Sequence, residues 1–312
     1  MFKFLKLVQN ENMKSFRRFS TLVMFIMLLC ALVFIGVVNK HYETHDSNKT
    51  WQQQLQAENH DLQKQFKANP DEHTKEALAI NTYRLDHALK PTDSTSFWGS
   101  VKDAVNGMQF VMIFAIIIAG GIVSSEFGSG TIKLLLTRPV SRSTILLSKY
   151  VSTLFTLLVF GVACFVFSCL IAAALFGFDG LSSPYLFYSE GAVHEGSMLL
   201  HIFGLYGLQM VPAIMFVTVA FLISTVFRNT ALAIGLSIFG LMAGSLVLQF
   251  LARFGWSKYV LFANLDWSPY FNGNGPFQKG MTLGFSATVL AVYYLLFIAF
   301  TWIIFKKRDV AA

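Results

Sequence analysis

Six apolar runs, each of roughly 20 residues, recur along this chain, and no other feature limits its fold as tightly. A helix of that length spans the ~30 Å hydrocarbon core of a bilayer. Inside lipid every backbone polar group must be bonded within the protein, so such runs become helices. Outer-membrane barrel strands are about ten residues long and alternate in polarity, and these runs do neither. Of the 312 residues, 54% are hydrophobic and 13% charged, against about 25% charged in a soluble domain. The expected fold class is all-α. It is a polytopic protein of the cell (plasma) membrane with six transmembrane helices, cytoplasmic N and C termini, and a helical extracellular insertion between the first two spans.

Residues 1–19 read as an amphipathic interfacial helix. Phe2, Leu5, Met13 and Phe16 fall near one face, with Lys3, Lys6, Lys14 and Arg17 around it. Residues 20–38 are the first span, expected to stay as an anchor because no small-residue cleavage site follows. Residues 39–104 form the insertion. Trp51, Leu55, Leu62 and Phe66 recur at helical spacing, Asn69-Pro70-Asp71 breaks the pattern, and Ala77, Leu78, Leu85 and Leu89 resume it. Such a hairpin is too small to bury a core alone. It should lean on the membrane, on itself across a dimer, or on a partner. Phe97, Trp98 and Val101 then suggest an interfacial turn.

Residues 105–305 are the transmembrane domain. Its spans are expected at 105–123, 144–176, 199–227, 229–250 and 282–305. Pro212 lies inside the fourth and should kink it. Residues 177–198 read as an acidic outer loop and residues 251–281 as outer interfacial helices rich in aromatics. Residues 306–312 form a cytoplasmic tail, opened by Lys306-Lys307-Arg308. In the fifth span Gly235, Gly240 and Gly244 supply small-residue spacing suited to close helix packing, more within one subunit than across a dimer.

Charge supports this topology. With the N-terminus inside, the inner segments hold thirteen Lys+Arg and three Asp+Glu, and the outer segments eleven and fourteen. Short inner segments rich in Lys and Arg are the signature of orientation in membranes. The net charge of +7 therefore reflects topology, and no nucleic-acid partner is expected.

Some chemistry is missing from the sequence. Ion-coupled carriers use ionisable groups at membrane depth, yet the central parts of these spans offer little beyond Gln209, with His201 near an end. There is no GxxxxGK[ST] phosphate loop, and no nucleophile–base or carboxylate pair. Cys30, Cys164 and Cys169 lie inside apolar runs and read as bystanders. The chain is expected to be no enzyme by itself, with no catalytic residue, no metal site and no directly bound cofactor. Any energy for transport must then come from another polypeptide, acting on an inner surface.

Only one inner loop is long enough for that, the elbow at 124–143. Glu126 closes the second span, and Gly128 and Gly130 let the chain turn. Thr131 can cap a short helix over 132–137, which carries Leu134, Leu135 and Leu136 with Lys133 beside them. Pro139 ends that helix. Ser141 or Ser143 can cap the next one, and Arg138, Arg142 and Lys149 should hold the region at the anionic inner leaflet.

Glu126-x-x-x-Gly130-Thr131, then Leu134-Leu135-Leu136, then Pro139-x-Ser141-Arg142 and a later Lys149 together resemble the cytoplasmic loop of permease subunits of type 2 ATP-binding-cassette exporters. The motif covers about 25 residues, while the layout of surface helix, six spans and short outer helices covers nearly the whole chain. The resemblance implies that Glu126, Gly130, Thr131, Lys133, Leu134, Arg138, Pro139 and Arg142 couple the membrane part to a separate cytoplasmic ATPase. ATP and Mg would bind that partner. Two permeases, identical or not, would work with two ATPases and rock between inward-open and outward-open forms, surrounded by membrane lipid. The cargo implied is hydrophobic or amphipathic, such as a peptide antibiotic, a drug or a lipid-like compound. The long outer insertion departs from simpler members and leaves a sensor subunit as the rival expectation. A secondary carrier is a more distant one.

Overall fold

The computed structural model describes residues 2–43, 50–131, 140–271 and 275–307. Helix α1 covers Phe2–Phe16 and α2 covers Phe19–Glu43. The Thr21 hydroxyl donates to the Ser15 carbonyl at 2.6 Å across the bend between them. Helices α3 (Trp51–Ala68) and α4 (Glu72–Asp86) form the insertion. Helix α5 (Phe97–Asp103), a 3₁₀ turn at Ala104–Gly107, α6 (Met108–Ile122) and α7 (Ser124–Gly128) follow in near-continuity. Helix α8 covers Arg142–Phe176, strands β1 and β2 cover Tyr185–Ser189 and Ala192–Gly196, and α9 covers Met198–Phe227. Helix α10 (Thr230–Leu251), three short 3₁₀ turns between Gly255 and Tyr270, and α11 (Leu283–Lys307) complete the chain.

Six helical stretches are long and apolar enough to cross a membrane: Phe19–His41, Phe97–Gly128, Arg142–Phe176, Met198–Phe227, Thr230–Leu251 and Leu283–Lys307. The chain is a multi-pass membrane protein, as its apolar runs demand. The third stretch, at 35 residues, is longer than the ~20 a bilayer needs. Helix α9 continues unbroken through Pro212.

The chain divides into two compact units. The first comprises Met1–Leu28, Gly107–Cys164 and Leu208–Ala312. Its core gathers Ile122, Val123, Leu146, Tyr150, Phe221 and Phe305, with Leu154, Ile298 and Trp302 against them. Helix α6 packs on α10, so tightly that a Cβ on Gly120 would meet Ile234 at 2.8 Å. A Cβ on Gly244 would meet the Phe262 ring at 2.6 Å, one on Gly240 would lie 3.9 Å from Phe216, and one on Gly235 would meet nothing within 4 Å. The small residues of α10 thus admit an aromatic ring from the 3₁₀ turn at Leu261–Asn264 rather than the backbone of another helix. In place of outer interfacial helices, the described residues after α10 form three short 3₁₀ turns between Gly255 and Tyr270, and the Gln278 amide donates to the carbonyls of Ala252 at 2.9 Å and Phe254 at 3.0 Å.

The second unit comprises Leu29–Asn106 and Phe165–Gly207. Helices α3 and α4 pack on each other, and α4 packs on both strands. The segment expected to be a plain acidic loop is a β-hairpin, with Tyr185 opposite Gly196 and Ser189 opposite Ala192. Its two-residue turn is Glu190-Gly191, with φ of 53° and 85°, the left-handed pair that matches strand twist in a tight hairpin. This sheet is the one departure from an all-helical chain among the described residues. It answers what the insertion leans on: Tyr83 donates to Glu195 at 3.2 Å, so the insertion rests on this hairpin.

Phe97, Trp98 and Val101 do not form an interfacial turn. They are buried in α5, whose start is capped by the Ser96 hydroxyl accepting from Gly99 N at 3.1 Å. The Trp98 indole donates to the Leu181 carbonyl at 2.8 Å. The apolar bulk that suits an interface also suits a core, and the nearby chain at 178–184 supplies that core.

Candidate functional site

Within the first unit, the segments flanking the elbow converge on a cluster of four charges, three of them buried. Glu126, in the short helix α7, brings its carboxylate to the Lys149 ammonium on α8 at 2.7 Å. Lys149 also donates to Glu11 Oε2 on α1 at 2.9 Å and to the Ile122 carbonyl at the end of α6 at 3.2 Å. Those three contacts use all three donors of an ammonium. Lys14, one turn on from Glu11, donates to Glu11 Oε1 at 3.1 Å and to Glu126 Oε1 at 3.4 Å. The cluster holds two carboxylates and two ammonium groups, so its formal charge is zero. Lys149 is 1% exposed, Glu11 6% and Glu126 9%.

Isolated charges at such depth would be expensive, and only pairing with full hydrogen bonding offsets their desolvation. One acceptor is left over. Glu126 Oε2 is buried without a hydrogen-bond partner among the described residues. Burial works against the charge on Glu11, but Lys149 and then Lys14 outweigh it and hold the carboxyl below the ordinary 4.5. Burial likewise opposes the charge on Lys14, and Glu11 and then Glu126 outweigh it and raise the amine above 10.5.

The lowered Glu11 pKa contributes stability above the ordinary carboxylate value, and that contribution disappears as pH falls through the folded value. The raised Lys14 pKa contributes below the ordinary lysine value and is lost only at strongly alkaline pH. The melting temperature of the wild type should therefore exceed that of Glu11→Gln at neutral pH. The gap should close as pH is lowered through 4.5 and beyond. Thermal unfolding followed across acidic buffers checks this.

More contacts seat α1 and the elbow's flanks. Ser152 on α8 donates to Asn12 on α1 at 2.6 Å. The Ser124 hydroxyl donates to the Gly120 carbonyl at 2.7 Å and pairs with the Thr230 hydroxyl at 2.7 Å, and the Ser124 backbone amide donates to the Ser224 hydroxyl oxygen at 3.1 Å. The Arg228 guanidinium lies 4.2 Å from the centre of the Phe127 ring, a cation–π contact. Deeper in the same unit Tyr150, Thr218 and Tyr294 join their hydroxyls at 2.7 and 3.1 Å.

The residues expected at the elbow separate into two groups. Glu126, Gly130, Thr131 and Arg142 are described, whereas Lys133, Leu134, Arg138 and Pro139 lie outside the described residues. Gly130 takes a φ of +71°, the left-handed turn for which glycine is suited. The Thr131 hydroxyl pairs with that of Ser129 at 2.9 Å, and the helix it was expected to cap lies outside the described residues. Ser141, rather than Ser143, caps α8 by accepting from Thr144 N at 3.2 Å. Lys149 is not a leaflet-facing base. It is the buried centre of the cluster, and the apolar run around it was the sign. Glu11 was also overlooked, although it is the lone acid in a basic amphipathic helix. Among the described residues no group of three His, Cys, Asp or Glu could hold a metal ion.

Residues 81–311 match a family described as Protein of unknown function (DUF2705). The chain is 40% identical over 312 residues to the uncharacterized protein YhcI of Bacillus subtilis (strain 168), covering 98% of this chain and 99% of that protein. It is 33% identical over 198 residues to the uncharacterized membrane protein YdbK of the same organism, covering 62% of this chain and 76% of that protein.

Proposed function

The chain belongs to the DUF2705 family, and for this member we propose the role of permease subunit in an ATP-driven exporter of the type 2 ATP-binding-cassette kind. In this reading the six spans form half of a translocation path for a hydrophobic or amphipathic cargo in the plasma membrane. A second permease completes the path. A cytoplasmic ATPase supplies the energy by pressing on the elbow, and both termini lie on its side. One observation carries the reading: the cluster of Glu11, Lys14, Glu126 and Lys149 sits between both flanks of the elbow. A force on the loop at 128–141 would reach α6, α8 and α1 together through those ion pairs. A plain connector has no need of such a footing.

The experiment is purification of the full chain from its native membrane under mild detergent. Copurification of a polypeptide with a phosphate-binding loop, and ATP-dependent cargo flux in sealed vesicles, are the expected results. Purification without any ATPase, with flux driven by an ion gradient, would replace the reading with a secondary carrier.

A sensor role is favoured by one specific observation. The insertion is a folded part of the second unit, docked on the β-hairpin, and Lys90 and Asp179 are among the residues that line a 350 Å³ cavity there. Those two residues pair at 3.6 Å. ATP-dependent flux that persists when residues 50–95 are deleted would favour transport without sensing.

A further inference from the structure

A groove of 520 Å³ runs along α1, lined by Leu5, Val8, Met13, Phe16 and Arg17, with Phe155 of α8 as its opposite wall. Phe16 and Phe155 meet edge to face with ring centres 6.4 Å apart. The volume falls in the range of roughly 300–1,000 Å³ common to small-molecule sites. Phe155 belongs to an exposed stripe of α8 that includes Leu147, Leu158 and Val162. Helix α8 is one of the six membrane-crossing stretches, and an exposed apolar stripe on such a helix meets lipid tails. The groove therefore opens onto acyl chains.

Charge decides which lipid. Arg17 stands at one end of the groove and Arg18 follows it, and both are exposed. Neither has an ion pair among the described residues. Glu11, the acid nearest in sequence, is already occupied by Lys14 and Lys149. A guanidinium beside a greasy trough matches one ligand chemistry: a phosphate diester carrying a hydrocarbon chain. Its planar fork binds phosphate oxygens in pairs, and anionic lipids line the cytoplasmic leaflet.

We propose that this groove is a binding site for one anionic phospholipid, with an acyl chain along Leu5, Val8, Met13, Phe16 and Phe155 and the phosphate on Arg17. The site is independent of any ATPase, so it stands or falls apart from the transport role.

The test measures melting temperature of the full chain in neutral detergent while lipid is titrated. Phosphatidylglycerol should raise it with saturation, and phosphatidylcholine of the same chains should raise it far less. Arg17→Gln should weaken the apparent affinity about tenfold, the loss of one charge-assisted phosphate contact. Gln9→Trp fills the groove from an exposed position on its rim. It should abolish the response while leaving the lipid-free melting temperature unchanged. Met13→Trp serves the same purpose should Gln9→Trp fail to accumulate. Lys306→Gln with Lys307→Gln, a basic pair elsewhere, should respond as wild type. Saturating stabilisation by glycerol 3-phosphate alone would mean a free phosphate site and overturn the lipid assignment. So would equal stabilisation by phosphatidylcholine, or an unchanged response in both tryptophan variants. A fall in oligomeric mass on Gln9→Trp would give the groove to a second copy of the chain instead.

Discussion

Lys149→Met should destabilise the protein by about 3–5 kcal/mol, the cost of leaving buried charge without its partner. Among the described residues, the side chain lost is the only one that touches both Glu11 and Glu126 with a fully buried ammonium. Lys14 reaches both carboxylates, but at 3.1 and 3.4 Å and from a half-exposed position, so it cannot replace a desolvated cation. A loss of this size is a large fraction of total folding stability. Little monodisperse protein should survive extraction, as size-exclusion of a fluorescent fusion would report. The rescue is more telling than the loss. Adding Glu11→Gln and Glu126→Gln to Lys149→Met removes the stranded charges and should restore most of the yield. A triple variant that recovers no better than Lys149→Met alone would show that Lys149 acts through something other than charge balance.

Gly130→Pro should separate assembly from folding. Proline fixes φ near −65° and carries no N–H, whereas Gly130 stands at +71° and donates to the Phe127 carbonyl at 3.2 Å. The turn must change direction. A Cβ at Gly130 would meet nothing within 4 Å, so the damage stays local and the melting temperature should move little. On the proposed coupling role, association with a partner ATPase should fall to background in a pull-down from solubilised membranes, and deletion of 131–137 should do the same. Normal recovery of the ATPase with either variant, at wild-type expression, would remove the elbow from the coupling role.

The six crossings were legible because bilayer thickness dictates run length directly, and 20–38 or 282–305 needs no tertiary knowledge to be found. The β-hairpin was not read, although Glu190-Gly191 between Tyr185–Ser189 and Ala192–Gly196 has the form of a tight turn between strands. The acids Asp179, Glu190 and Glu195 between two spans suit a solvated loop equally well. The charge cluster was hidden for a different reason. Glu11 and Lys149 are 138 positions apart, and no local pattern pairs them. Lys149 near the start of a long span reads as a base reaching for lipid headgroups, and only the packing of α1 against α8 turns it inward. Trp98 illustrates the same ambiguity for aromatics, since bulk alone does not separate a membrane interface from a core.

The span between Glu11 and Lys149 also governs when this protein can be finished. At about 5–20 residues per second, α8 leaves the ribosome on the order of ten seconds after α1. Through that interval α1 has no seat. Glu11 has only Lys14 for company while the two membrane-crossing stretches that follow α1 are synthesised. The last event in building the elbow's footing is thus the return of the first segment made, so whatever occupies or burdens the N-terminus during synthesis acts on a step that completes only after the third span arrives.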